Sequence, residues 1–383
     1  MTHEVARIPL VTMSPGTERR LTVHRFGAAG ARPKAYLQAG THADEIPGLL
    51  VLHHLLRRLI AADREGGMLG EVVVVPFANP IGLSQRLGGE LLGRYEFSGG
   101  GNFNRNFPNL DEAVVKRVED KLTADADENV AAIRAAMLAE LDERSAETDL
   151  EVQRLALMRL AVDADIALDL HCDSEAVMHL FVGNHLWPAA ADLSAQIGSR
   201  ATLLAVDSGD DPFDEACSRP WWALANEYGG AHPIPPACLA ATVELRGRAD
   251  VGDDFAAPDA DNLFRFLQRR GVVAGDPGPL PAPLCEATPF EGADYVIAPF
   301  AGVVAYQKAP GDVIEKGETV ADLIDPAAGD PTADGARVAL ASPVSGVMVS
   351  RHLMKLARAG ERICMVAGAE PLAHRKPGKL MLD

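Results

Sequence analysis

The chain has 383 residues, 48% of them hydrophobic, and its 36 basic and 54 acidic side chains give a net charge of −18. That length exceeds the roughly 250–300 residues one core usually serves, so two domains are expected. The acidic balance argues against nucleic acid or an anionic membrane surface as a partner, and any substrate-facing cation must act locally.

The N-terminus, Met-Thr-His-Glu-Val-Ala-Arg, lacks the basic-then-apolar pattern of a leader, and no apolar run approaches the about 20 residues of a membrane span. A cytoplasmic protein is the expectation. Five cysteines (172, 217, 238, 285, 364) are scattered and form no Cys-x-x-Cys pair, so neither a disulfide framework nor a thiolate zinc site is indicated.

In chain order, Ala35-Tyr-Leu-Gln-Ala39 reads as a strand. Ile46 to Ile60 reads as a helix with Leu49, Leu52, Leu56 and Leu59 on one face, and Glu71-Val-Val-Val-Val-Pro76 as a buried strand. This βαβ unit implies a parallel sheet covered by helices. From 111 to 162 there is no Gly or Pro, and Val130, Ile133, Met137 and Leu141 fall at helical spacing. The stretch is read as two or three helices packed on the domain edge or at a contact between copies of the chain, rather than as a partner-binding arm. Apolar runs at Ile166–Leu170, Val177–Val182 and Ala240–Leu245 continue the sheet.

Gly275-Asp-Pro-Gly-Pro-Leu-Pro-Ala-Pro283 breaks both periodicities and reads as a linker, dividing the chain into a catalytic α/β domain (1–285) and a β domain (286–383). The second domain carries an internal repeat: Ala298-Pro-Phe-Ala-Gly-Val-Val-Ala305 is echoed by Ser342-Pro-Val-Ser-Gly-Val-Met-Val349. Short strands separated by Gly predict a small all-β barrel or sandwich.

The chemistry concentrates at strand ends. Ala39-Gly-Thr-His-Ala-Asp-Glu-Ile-Pro-Gly48 places His42 and Glu45 after one strand, and His171 ends another. Parallel strands deliver such residues to one sheet edge, where α/β folds bind ligands. Two imidazoles and a carboxylate are a ligand set that leaves zinc an open position, and an open position means chemistry. Asp169, two residues before His171, is placed either to orient that imidazole or as an ordinary structural acid.

The stretch Gly99-Gly-Gly-Asn-Phe-Asn-Arg-Asn-Phe-Pro108 lacks the context of a phosphate loop and reads as a mobile loop presenting Asn104 and Arg105, whose guanidinium suits a substrate carboxylate. Arg86, in Asn79-Pro-Ile-Gly-Leu-Ser-Gln-Arg86, is a second candidate cation. Glu244 stands on an otherwise apolar strand, Ala241-Thr-Val-Glu-Leu-Arg-Gly247, where a carboxylate is costly unless paired or catalytic. A general base beside the metal meets that condition. The segments Asp207–Trp222 and Gly229–Cys238 read as specificity loops, with Trp221 and Trp222 assigned to core packing ahead of a substrate wall.

His42-x-x-Glu45, Asn104-Arg105-Asn-Phe, Leu168-Asp-Leu-His171 and Val243-Glu-Leu-Arg246, in this order, resemble the zinc carboxypeptidase superfamily, and within it the succinylglutamate desuccinylase/aspartoacylase branch. The tail resembles the biotinyl/lipoyl-like barrel-sandwich fold. The hairpin that would carry a modified lysine, Asp325–Val338, has none, and Lys355 falls within the second half, so an accessory domain shaping the active site is expected.

The resemblance implies a mixed sheet flanked by helices, one Zn2+ per chain on His42, Glu45 and His171, and a proton shuttle at Glu244. It also implies that Asn104 and Arg105 bind the substrate carboxylate, that Arg86 polarises the scissile carbonyl, and that Tyr228 closes over substrate. The expected reaction is removal of a succinyl, acetyl or similar group from a small-molecule N-acyl amino acid or related amine, by a deacylase whose other expected partner is a further copy of itself in a homo-oligomer. The alternatives are a metallocarboxypeptidase and, from another class, a non-catalytic binding protein on a decayed enzyme fold.

Overall fold

The computed structural model describes residues 1–11 and 14–381. Among these, nine strands form one mixed sheet in the order Glu4–Pro9, Arg20–Phe26, Glu71–Val75, Lys34–Ala39, Ile166–Asp173, Leu239–Gly247, Met178–Val182, Thr202–Leu204, Ala287–Pro289. The centre is parallel: Lys34–Ala39 pairs with Glu71–Val75 and with Ile166–Asp173, which pairs with Leu239–Gly247. Met178–Val182 runs antiparallel to Leu239–Gly247.

Alternation along these strands divides the interior in two. Leu37, Leu168, Leu170 and Val243 face a core closed by helices Pro47–Arg64, Ala191–Ile197 and Asp253–Arg269. Tyr36, Val73, Ala167 and Ala240 face the opposite core, closed by helices Asp111–Val118, Ala126–Glu143, Asp149–Ala161 and Phe213–Tyr228. Asp169 and His171 follow Ala167 at period two, and Thr242 and Glu244 follow Ala240, so all four point to this second side.

The 111–162 stretch is three helices, with Ile133, Met137 and Leu141 buried as their spacing predicts. The last helix starts with a reciprocal cap between Thr148 and Glu151. The expected loop Asp207–Trp222 is half helix, because Phe213–Tyr228 begins inside it; Trp221 is buried in the core while Trp222 is exposed.

The C-terminal module is two antiparallel sheets around Val304, Ile314, Leu323, Met348 and Ile363. It is stitched to the large sheet in two ways. Ala287–Pro289 pairs with Thr202–Leu204, so the large sheet draws its edge strand from past residue 285. Conversely, Glu175–Ala176 pairs with Gly346–Arg351 of the module. Glu175 also takes Arg351 at 2.5 Å and Lys355 at 2.9 Å, so Lys355 is held in an ion pair between the two units. Among the described residues, no helix is long and apolar enough to cross a membrane.

Candidate metal centre and cavity

His42, Glu45 and His171 converge as their strand ends predict. All three are buried (4%, 3% and 2% exposed), with one ligand atom from each lying within 4.8 Å of the others. Gly40, at φ +71, turns the chain off its strand, and Pro47 opens the following helix, leaving His42 and Glu45 in the turn between. Glu45 bridges the two rings: Oε1 lies 2.9 Å from His42 Nδ1 and Oε2 lies 2.7 Å from His171 Nδ1.

The outer ring nitrogens define the tautomers. Asn102 Oδ1 accepts the Asn104 amide at 2.9 Å, so it is an oxygen, and it must accept again from His42 Nε2 at 2.8 Å. His171 Nε2 donates likewise to Asp169 Oδ2 at 2.8 Å. When both rings are neutral, each turns an Nδ1 lone pair toward the Glu45 carboxylate. Three acceptors facing one another call for positive charge; the Arg94 guanidinium reaches two of them at 3.4 Å, and a dication between them satisfies all three. The donor set fits zinc. Without a cation, burial works against protonation of His171, but Asp169 and Glu45 hold its pKa well above the usual imidazole range. Burial, then Arg94, pushes His42 down.

Asp169 ends a buried polar chain. Tyr36 Oη donates to Gln38 Oε1 (2.6 Å), Gln38 Nε2 to Thr41 Oγ1 (2.9 Å), and Thr41 to Asp169 (3.0 Å). The ring of His171 is thus fixed from the core.

Glu244 is in register opposite His171 on one neighbouring strand and opposite His179 on the other. A bulge follows, with Arg246 at φ +63 paired to Asp259. Glu244 lines the cavity; its Oε2 is sealed with no hydrogen-bond partner, and burial, then the charge of Glu45, holds its carboxyl well above the usual range.

Asn104 and Arg105 are buried in the same cavity wall, but they do not lie on a free loop. Asn106 and Phe107 donate to the carbonyls of Asp210 and Asp211, and the Phe213 amide donates to Asn104 Oδ1 at 3.1 Å. Arg86 and Tyr228 stand outside the cavity. Arg86 is exposed on a two-residue strand paired with Leu91, because the chain folds into two small hairpins after Pro80 and sequence distance from Asn79 no longer measures distance from the site. Tyr228 ends its helix, half-buried at the edge of the second core beside Glu119 and Glu227.

The cation beside the metal corner is instead Arg94, whose Nη1 lies 3.4 Å from both Glu45 Oε1 and His42 Nδ1. Gly93 brings it there. A Cβ at Gly93 would meet Asp44 N at 2.4 Å, and the Gly93 carbonyl accepts the Ala43 amide. Arg94, Asn102, Asp214 and Glu215 were not singled out by the sequence; the available signals were the glycine before Arg94 and the first asparagine of the Asn-rich run.

The cavity, about 410 Å³, is closed on its other side by Tyr295, Ser350, Arg351, His352 and Arg362 of the β module. Cys172 also lines it, and burial pushes its thiol far up, which disfavours the thiolate.

A buried two-histidine, one-carboxylate corner at the edge of such a sheet, with an acid in register beside it and a cavity in front, is a candidate metal site suited to hydrolysis. Residues 31–249 match the succinylglutamate desuccinylase/aspartoacylase catalytic domain, and the chain belongs to this family. The chain is 26% identical, over 88% of its length and 83% of the relative's, to the N-alpha-acetyl-L-2,4-diaminobutyric acid deacetylase of Halomonas elongata. Among solved structures, a succinylglutamate desuccinylase/aspartoacylase family protein of Shewanella amazonensis is 26% identical with TM-score 0.83, over 95% of this chain and 98% of that one. A related protein of Shewanella frigidimarina shares the fold at TM-score 0.85 and 22% identity, over 96% and 98%.

Proposed function

We propose that the protein is a zinc-dependent hydrolase that removes a small acyl group, acetyl or succinyl in type, from an N-acylated amino acid. The observation that carries this reading is the arrangement around Glu45: two Nδ1 lone pairs and a carboxylate turned toward one point, with Glu244 in register beside them. His42, Glu45 and His171 would hold zinc, which when bound would supply Lewis acidity toward the acyl carbonyl and water.

The chain's own groups do the rest. Glu244 takes the proton of the attacking water and returns it to the leaving amine nitrogen, a role suited to a carboxyl whose affinity for protons is raised. Arg94 faces the developing oxyanion. Asn104 and Arg105 hold the substrate carboxylate, fixed from behind by the 210–213 segment. The wall formed by the β module supports a small substrate over a peptide, and the named activity of the Halomonas relative supports an N-acyl amino acid.

The test is a hydrolysis screen over N-acetyl and N-succinyl amino acids, with peptides as controls. Glu244→Gln is expected to keep the metal and lose about 10²–10⁴-fold in kcat. Release of C-terminal residues from peptides, with N-acyl amino acids untouched, would replace this reading by a carboxypeptidase.

A further inference from the structure

Two acids of the cavity have no part in that reaction. Asp214 and Glu215 open helix Phe213–Tyr228, both 7% exposed, and both line the cavity that holds the metal corner. Glu215 Oε1 accepts the Ser208 amide at 2.8 Å, while its Oε2 is buried with no hydrogen-bond partner. The charges that act on it most strongly, Asp214 and Asp207, are both acidic. Arg219, one helical turn on, is diverted to Asp111 and Asp211.

Acids in the first turn of a helix complement its dipole, and the Ser208 loop amide satisfies one oxygen of Glu215. It does not account for a second oxygen sealed unpaired in a cavity wall, where an uncompensated carboxylate is unfavourable. The surroundings hold Glu215 in place. Ser208, which donates to it, accepts the amides of Leu380 and Met381 at 3.0 Å through its carbonyl, so loop, helix and the C-terminal segment meet at this end. Leu203, Ala205 and Met381 line the same cavity with apolar surface suited to methylenes.

We propose that Glu215, with Asp214 beside it, receives a primary ammonium group on the substrate side chain, so that the preferred substrates are N-acyl derivatives of diamino acids. This rests on the deacylase reading for its substrate backbone, and the carboxylates supply the specificity. Burial, then the charge of Asp214, pushes Glu215 up to about 8, and burial, then the charge of Asp169, pushes Asp214 to about 6. An ammonium ion relieves both effects.

The test compares Nα-acetyl-ornithine with its neutral near-isostere Nα-acetyl-norleucine. The wild-type kcat/KM ratio is expected to favour the ornithine substrate by at least about tenfold, and to fall toward one in Glu215→Gln and in Asp214→Asn. A merely structural role would lower both substrates by one factor and leave the ratio intact, which would overturn the assignment, as would equal wild-type turnover of the two. Calorimetric binding of free ornithine and norleucine reads the subsite without turnover. Tighter ornithine binding lost in Glu215→Gln supports it even if no acyl compound is hydrolysed, an outcome that removes the deacylase reading alone. Equal binding of the two overturns the subsite.

Discussion

Asp169 Oδ2 lies 2.8 Å from His171 Nε2, on the opposite edge of the ring from Glu45. The contact fixes which nitrogen faces the metal corner, and the chain through Thr41 and Gln38 fixes Asp169 itself. Asp169→Ala is therefore expected to weaken metal binding by about 10–100-fold, read by competition with a chelator. Unchanged affinity would show that the ring is oriented by packing alone.

Arg94 and Arg86 give a direct contrast. Arg94 faces Glu45 and His42, and Arg86 is exposed on an outer hairpin. Arg94→Ala should lower kcat/KM by about 10²-fold or more, as loss of an oxyanion donor does. Arg86→Ala should leave it near wild type. Steady-state kinetics on one N-acetyl amino acid separates the two, and the reverse order would restore Arg86 to the site.

The β module's attachment is testable by stability. Phe290 is fully buried between the units, stacked edge-on against Phe181 at 5.1 Å with Arg375 over its face. Phe290→Ala should cost about 3–5 kcal/mol, seen as a lowered denaturation midpoint. A change below about 1 kcal/mol would mean the two units are not one cooperative structure.

Glu215 also links stability to pH. Its carboxyl is raised to about 8 in the folded chain by burial and then by Asp214. The folded state thus binds a proton the unfolded chain releases near its ordinary pKa, about 4.3. That contribution is complete below this value and is lost as pH rises through about 8. Ligand-free protein should lose thermal stability between about pH 5 and pH 9, and Glu215→Gln should flatten that slope. Parallel profiles for the two proteins would contradict the assignment.

The central fold was legible where the sequence had a single period to obey. Leu49, Leu52, Leu56 and Leu59 outline helix Pro47–Arg64, and the valine run predicts strand Glu71–Val75. His42, Glu45 and His171 were legible because strand ends share an edge. Arg94 was hidden because two short hairpins, set by close contact of Gly93 with Asp44, break the relation between spacing and position. Glu215 was hidden because its helix begins inside a stretch that reads as a loop, around Asp210 and Asp211 with left-handed backbone. The link of Glu175–Ala176 to the β module is a pairing between residues far apart in sequence, which no local pattern encodes.

The most direct measurement is hydrolysis of N-acetyl amino acids by metal-stripped protein as zinc is restored. Turnover should be absent after stripping and should return in proportion to zinc, saturating at one ion per chain. Turnover that survives stripping, or that returns without dependence on His42, would contradict the metal centre described above.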